Sequence, residues 1–133
     1  GVLRTAHGTV ELAAGDSDND DIVMLAPIPS NAAVPSLFIG SDTFGGSCTF
    51  NVGIYTTAGA AKDEDVFATS VADAAAMADV RFEAANIDTA GKKMWELAGD
   101  SSDPGGYFYI AVTMSAAGGT AGTLSWNISY VVN

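Results

Sequence analysis

The run Asp16-Ser17-Asp18-Asn19-Asp20-Asp21 places carboxylates at alternate positions, as the opening of a calcium loop does. The rest of such a loop is missing. Its sixth position holds Asp21 where the turn needs glycine, and its twelfth holds Pro27 where the bidentate glutamate belongs. The run therefore reads as a solvated turn between two strands. His7 is the only histidine and Cys48 the only cysteine, so the chain lacks the four nitrogen and sulfur ligands of a structural zinc site and cannot close an internal disulfide. Cys48 lies in the strand-like run Cys48-Thr49-Phe50-Asn51-Val52 and reads as a small buried hydrophobe. His7 reads as a surface residue beside the N-terminus. Glu11, Glu83 and Glu96 could each join an aspartate as a glycosidase pair, but none has a distinctive setting, and 133 residues leave little room for a deep cleft. Gly45-Gly46, Gly105-Gly106 and Gly118-Gly119 lack the lysine and helix start of a phosphate cradle and read as turns. Asn127-Ile128-Ser129 matches a glycosylation acceptor by chance, inside a strand-like run. The expectation is a protein that is not an enzyme, with no catalytic residue, metal or cofactor.

Charge narrows the partners. Sixteen acidic and five basic residues give a formal net charge of −11. Such a chain repels nucleic acid and anionic membranes, which leaves proteins, neutral glycans or cations. No apolar run reaches the ~18 residues of a membrane span, and Gly1 to His7 lacks the apolar region of a signal peptide.

The elements that would position any surface are strands. In Leu124-Ser125-Trp126-Asn127-Ile128-Ser129-Tyr130-Val131-Val132, the residues Leu124, Trp126, Ile128, Tyr130 and Val132 share a face, and small polar residues share the other. Phe108, Ile110, Val112 and Met114 alternate likewise with Tyr109, Ala111 and Thr113. The Gly-rich stretch Ala116 to Gly122 between these runs reads as a hairpin loop. Further strands are predicted at Gly8–Ala13, at Asp21–Ala26 closed by Pro27 and Pro29, and at Ser36–Gly40 entered from Pro35. Phe50–Tyr55 and Asp79–Ala84 complete the set. Seven or eight short strands separated by turns predict an all-β sandwich or barrel. Two segments carry helical spacing: Asp63–Met77, with Phe67 and Val71 four apart, and Asp88–Gly99, with Asp88 as cap and Gly99 as stop. The chain reads as one domain over residues 8–133, preceded by an arm at residues 1–7.

Candidate contact residues follow from this pattern. Tyr107 and Tyr109 face away from Phe108 and Ile110, so they are predicted to be exposed. Val2, Leu3 and Arg4 give the arm an apolar, basic tip that could reach a neighbour.

Several segments resemble small virion proteins of tailed bacteriophages. They are Pro27-Ile28-Pro29-Ser30-Asn31-Ala32 with Ser36-Leu37-Phe38-Ile39, and Asn51-Val52-Gly53-Ile54-Tyr55 with Asp65-Val66-Phe67-Ala68. The most characteristic is Ile87-Asp88 through Gly91-Lys92-Lys93-Met94-Trp95-Glu96-Leu97-Ala98-Gly99 to Asp103-Pro104-Gly105-Gly106. The chain is similar, from about Pro27 onward, to head-decoration or cement proteins. That resemblance implies a jelly-roll-like antiparallel sandwich with one or two short helices in its connections. It implies a location on the outer face of the capsid, binding to major capsid protein subunits, and assembly as a homotrimer. It carries over no catalytic residue. The alternative reading is a receptor- or glycan-binding module of a tail or fibre, and a secreted hydrolase is a third.

Overall fold

The computed structural model describes residues 1–45, 47–73, 77–81 and 91–132. Eight strands are formed: β1 (Leu3–Leu12), β2 (Ile22–Pro29), β3 (Ala32–Ser41), β4 (Thr49–Tyr55), β5 (Ala61–Ala72), β6 (Ala78–Asp79), β7 (Tyr107–Ala116) and β8 (Gly122–Val132). One short helix, α1 (Met94–Leu97), and a single 3₁₀ turn at Ala14–Ser17 accompany them.

The strands make two antiparallel sheets, with orders β1-β8-β3-β6 and β2-β7-β4-β5. Partners β1 with β8, β2 with β7, β3 with β6 and β4 with β5 pair as though one long hairpin had been rolled up. The roll closes where β8 also pairs with β3, and β7 with β4. This is the double-sheet jelly roll, so the sandwich expected from the strand pattern is the observed architecture.

Alternation chooses the inner faces. Leu124 and Ile128 of β8, Ile110, Val112 and Met114 of β7, and Phe50, Val52 and Ile54 of β4 are fully enclosed in one core. Burying each such side chain contributes roughly 1.5–3 kcal/mol. Trp126 lies over Gly8, its register partner in β1. Cys48 is buried, with its Sγ 3.9 Å from Met114 Sδ. Burial, with Asp73 nearby, pushes its thiol pKa up and keeps it neutral.

Arg81, fully enclosed, sits where two-residue β6 leaves the sandwich side open. Its Nε donates to Val34 O in β3 at 2.7 Å, and its guanidinium stacks 4.7 Å from the Phe67 ring of β5. One side chain thus joins both sheets. Burial lowers its pKa, and Asp79 opposes that shift.

Three expectations need correction. The helix read over Asp63–Met77 is absent from its described residues, where β5 stands instead. Val52 faces Ala68 and Phe50 faces Val71, so two apolar residues three apart face the same strand. A bulge makes this possible: Ser70 has a left-handed φ of 53°, and its N–H is satisfied by Asn51 Oδ1 at 2.9 Å. The bulge imitates helical spacing. Second, Ala116 to Gly122 is no hairpin, because β7 and β8 belong to different sheets. The stretch crosses between them, anchored by Gly118 N to Ser17 O and Thr120 N to Phe44 O, each 2.8 Å. Third, the helix expected over Asp88–Gly99 begins only at Met94 among the described residues, because Lys93 is still extended and bridged to Ala33. Asp88 lies outside the described residues. Gly99 ends the helix as expected, with φ of 85°. Gly99 N donates to Glu96 O and Asp100 N to Trp95 O, each at 3.1 Å, which completes a Schellman cap.

The strand expected at Asp79–Ala84 is described as far as Arg81, and its pairing covers Ala78–Asp79. Pro27 and Pro29 lie within β2 rather than beyond it, which an edge strand tolerates.

Gly53 is required by β5. A Cβ there would stand 2.1 Å from Asp63 O and 2.2 Å from the Glu64 carbonyl carbon. Both are backbone atoms and cannot swing aside. Gly53→Ala is expected to cost about 2–3 kcal/mol in urea unfolding, whereas Gly91→Ala, which meets nothing within 4 Å, should be near neutral.

Candidate functional site

The strand register gives the sandwich two distinct ends. At one end lie Leu3 of β1, Pro29 of β2, Ala32 of β3, Tyr107 of β7 and Val132 of β8. At the other lie Leu12, Ile22, Ser41, Ala116 and Gly122 of the same strands. They are called here the Leu3 end and the Leu12 end.

The expected contact residues converge on the Leu3 end. Val2 is 72 % exposed, Leu3 60 % and Tyr107 57 %, the three most exposed large apolar side chains described. Arg4 is exposed beside them. Tyr109 is half-buried on the outer face of its sheet, between Pro27 of β2 and Tyr55 of β4. Tyr55 is buried there, its hydroxyl 2.5 Å from Thr113 Oγ1. From Leu3 to His7 the N-terminal segment is paired in register with Val131 to Asn127. Half-buried Tyr130, Val131, Val132 and Trp95 extend the same apolar end. Trp95, Tyr130 and Val132 pack against the core, as the alternation of the last strand and the spacing of the second helix suggest, and remain partly exposed because they lie at the strand ends.

A polar joint holds this end in shape. Ser30, in the β2–β3 turn, is buried and donates from Oγ to Asp103 Oδ1 at 2.6 Å. Its N–H bonds to Gly106 O at 2.9 Å, and its carbonyl accepts from Trp95 N at 3.1 Å. Asp103 also accepts from Gly105 N at 2.8 Å. The Ser30 hydroxyl, then the Gly105 N–H, then the Lys93 charge hold the Asp103 carboxyl below its usual range. One serine therefore ties together the turn, α1 and the loop that starts β7.

Basic residues are confined to one end, whereas carboxylates occur at both, with Glu96, Asp100 and Asp103 toward the Leu3 end. Glu11, Asp16, Asp18, Asp20, Asp21, Asp42 and Asp73 lie at the Leu12 end, without a lysine or arginine among the described residues there. Arg4, Lys62, Arg81, Lys92 and Lys93 all lie toward the Leu3 end, where Lys62 Nζ pairs with Asp100 at 2.8 Å. The outlying acids Asp63 and Asp65 of β5 lie close enough to interact. Burial first, then the neighbouring Asp65, raises the Asp63 pKa.

The acidic run serves the backbone. Asp16 Oδ2 accepts from Ala13 N at 2.9 Å, and Asp21 Oδ2 accepts from Asp18 N at 3.0 Å. These carboxylates close turns and do not converge. An open depression of about 450 Å³ is bordered by Leu12, Asp16, Asp21 and Met24. Among the described residues, no three His, Cys, Asp or Glu side chains group as metal ligands. His7 is exposed, next to Asn127 on the outer face of β1 and β8. Glu11 is engaged with the Thr123 hydroxyl, Glu96 caps α1 through Lys93 N, and Glu83 lies outside the described residues. Among the described residues, no helix is long and apolar enough to cross a membrane.

No protein-family model matches the chain, and no curated protein matches it in sequence. A solved chain does match in fold. It belongs to the cyanophage Pam1 capsid asymmetric unit, and the likeness covers 98 % of this chain and 85 % of that one. The TM-score is 0.50 and the identity 12 %. At that identity the likeness is one of fold.

The Ser30–Asp103 joint gives a pH prediction. A carboxylate with a depressed folded pKa stabilises the fold fully above its unfolded value of about 3.9. That stability is lost as pH falls from there through the lower folded value. The gap in urea midpoint between wild type and Asp103→Asn should therefore be constant near neutrality and shrink below about pH 4.

Proposed function

We propose that this chain is a non-enzymatic virion structural protein that sits on the outer face of a phage capsid and binds major capsid protein subunits through the Leu3 end. The observation that carries the reading is the division of the surface. Exposed Val2, Leu3 and Tyr107 and all the basic residues lie toward one end, with Glu96, Asp100 and Asp103 among them, and at the other lies a block of carboxylates with no lysine or arginine beside it among the described residues. An apolar patch is matched by contact with a partner, whereas a carboxylate block is matched by water. Docking by the Leu3 end leaves the acids of the Leu12 end in solvent, where they keep neighbouring particles apart. The fold likeness to a chain of the cyanophage Pam1 capsid asymmetric unit supports the setting.

A protein in this role needs no reaction. It binds the assembled shell and not its dispersed subunits, so mass action stabilises the shell. Val2, Leu3, Arg4, Tyr107 and Tyr109 are the contact residues of this reading.

The test is co-sedimentation of purified protein with undecorated heads of the phage that carries it. Leu3→Asp and Tyr107→Ala should each weaken occupancy about tenfold, as loss of one central apolar contact does. Asp18→Ala, at the Leu12 end, should leave occupancy unchanged. Equal occupancy for all three variants would overturn the assignment of the docking end. Co-sedimentation with tails alone would favour the tail-module reading.

A further inference from the structure

The two sheets have four edges, and three of them are protected against pairing with another chain. β2 carries Pro27 and Pro29, and its ladder to β7 breaks step between Met24 and Ala26. β5 carries Asp63, Glu64 and Asp65, and its ladder to β4 breaks step three times. β6 has two residues. Prolines, bulges, charge and short length are the usual means of closing an edge.

β1 has none of these protections along most of its length. It runs ten residues, has no proline, and keeps an uninterrupted register with β8 from Leu3 to Leu12. Among the described residues, no strand lies on its other side. Alternate backbone N–H and C=O groups of β1 therefore face outward over its full length. Its charge differs from that of the whole chain: from Gly1 to Val10 there is no carboxylate, and Arg4 and His7 are present.

We propose that the outer edge of β1 receives an extended acidic segment of a capsid subunit as an added strand. The inference rests on the docking reading above, since β1 starts at the Leu3 end and leads away from it. Main-chain hydrogen bonds give such an addition its affinity, and side chains at alternate positions give its specificity. Arg4 and His7 are three apart and so lie on opposite faces of β1; an added strand with a carboxylate on each face complements them, and an apolar residue on the His7 face would meet Leu3. A second copy of this chain fits less well. Antiparallel pairing of β1 with its own copy would point the two Leu3 ends in opposite directions, so both could not reach one shell.

The experiment is hydrogen exchange read by mass spectrometry, on the intact protein free and bound to undecorated heads. About half of the β1 amides, those facing away from β8, should exchange at least tenfold more slowly when bound. Firm binding with unchanged β1 exchange would overturn the added strand and leave end-on docking intact. Absence of binding would overturn both. Thr5→Pro and Ala6→Pro give a second test, because adjacent N–H groups point to opposite sides of the strand. The variant that loses an outward N–H should melt close to wild type and lose about tenfold in occupancy. The other should melt lower, because it breaks the β1–β8 ladder. If neither correctly folded variant loses occupancy, the proposal fails. A free protein that sediments as a dimer, and as a monomer after the outward proline change, would assign the edge to a second copy and overturn the proposal.

Discussion

β1 and β3 share a sheet, yet neither hydrogen-bonds to the other; β8 lies between them and pairs with both. In the second sheet, β7 lies between β2 and β4 in the same way. One of the two inner strands of each sheet thus comes from the last segment of the chain. The stretch between β7 and β8 passes from one sheet to the other, so these two strands enter as a linked pair. β1 and β2 pair with no other strand among the described residues, whereas β3 and β4 also pair with β6 and β5. The pairings that β7 and β8 make span most of the sequence, which places folding among the slow, non-local cases. The core residues Ile110, Val112, Leu124 and Ile128 are therefore the ones on which both layers depend.

The open side of the sandwich is handled differently at its two margins. On the β6 side, where strand pairing is brief, a buried arginine spans the gap from Val34 to Phe67. On the β1 side, the strand is long and regular, with nothing beyond it among the described residues. The first margin is closed by the protein's own side chain. The second remains available, and it meets the end where apolar side chains are exposed. Surface chemistry and sheet geometry thus point to the same corner of the molecule.

Legibility in the sequence followed alternation. β8, β7 and β4 were readable because large apolar residues alternate with smaller or more polar ones in each, so the period of two shows in the sequence even where Tyr55, Ala111 and Thr113 of the second face are buried as well. β5 was not, because the bulge at Ser70 shifts its phase and because acids and alanines mask its β character. The crossing between β7 and β8 could not be told from a hairpin, since both need the same glycines and the difference lies in which sheet receives the next strand. Exposure of Tyr107 followed from alternation alone. The meeting of Tyr107 with Val2 and Leu3 did not, because residues about a hundred positions apart come together only through the rolled-up order of strands.

Leu3 faces Val131 across the β1–β8 ladder. A fusion made at either end of the sequence would therefore emerge from the same corner, beside the exposed apolar residues. Cargo attached there would compete for space with whatever this corner binds. The turn around Gly15 lies at the opposite end, and a Cβ at Gly15 would meet nothing within 4 Å. That turn is the sensible insertion point for a foreign peptide.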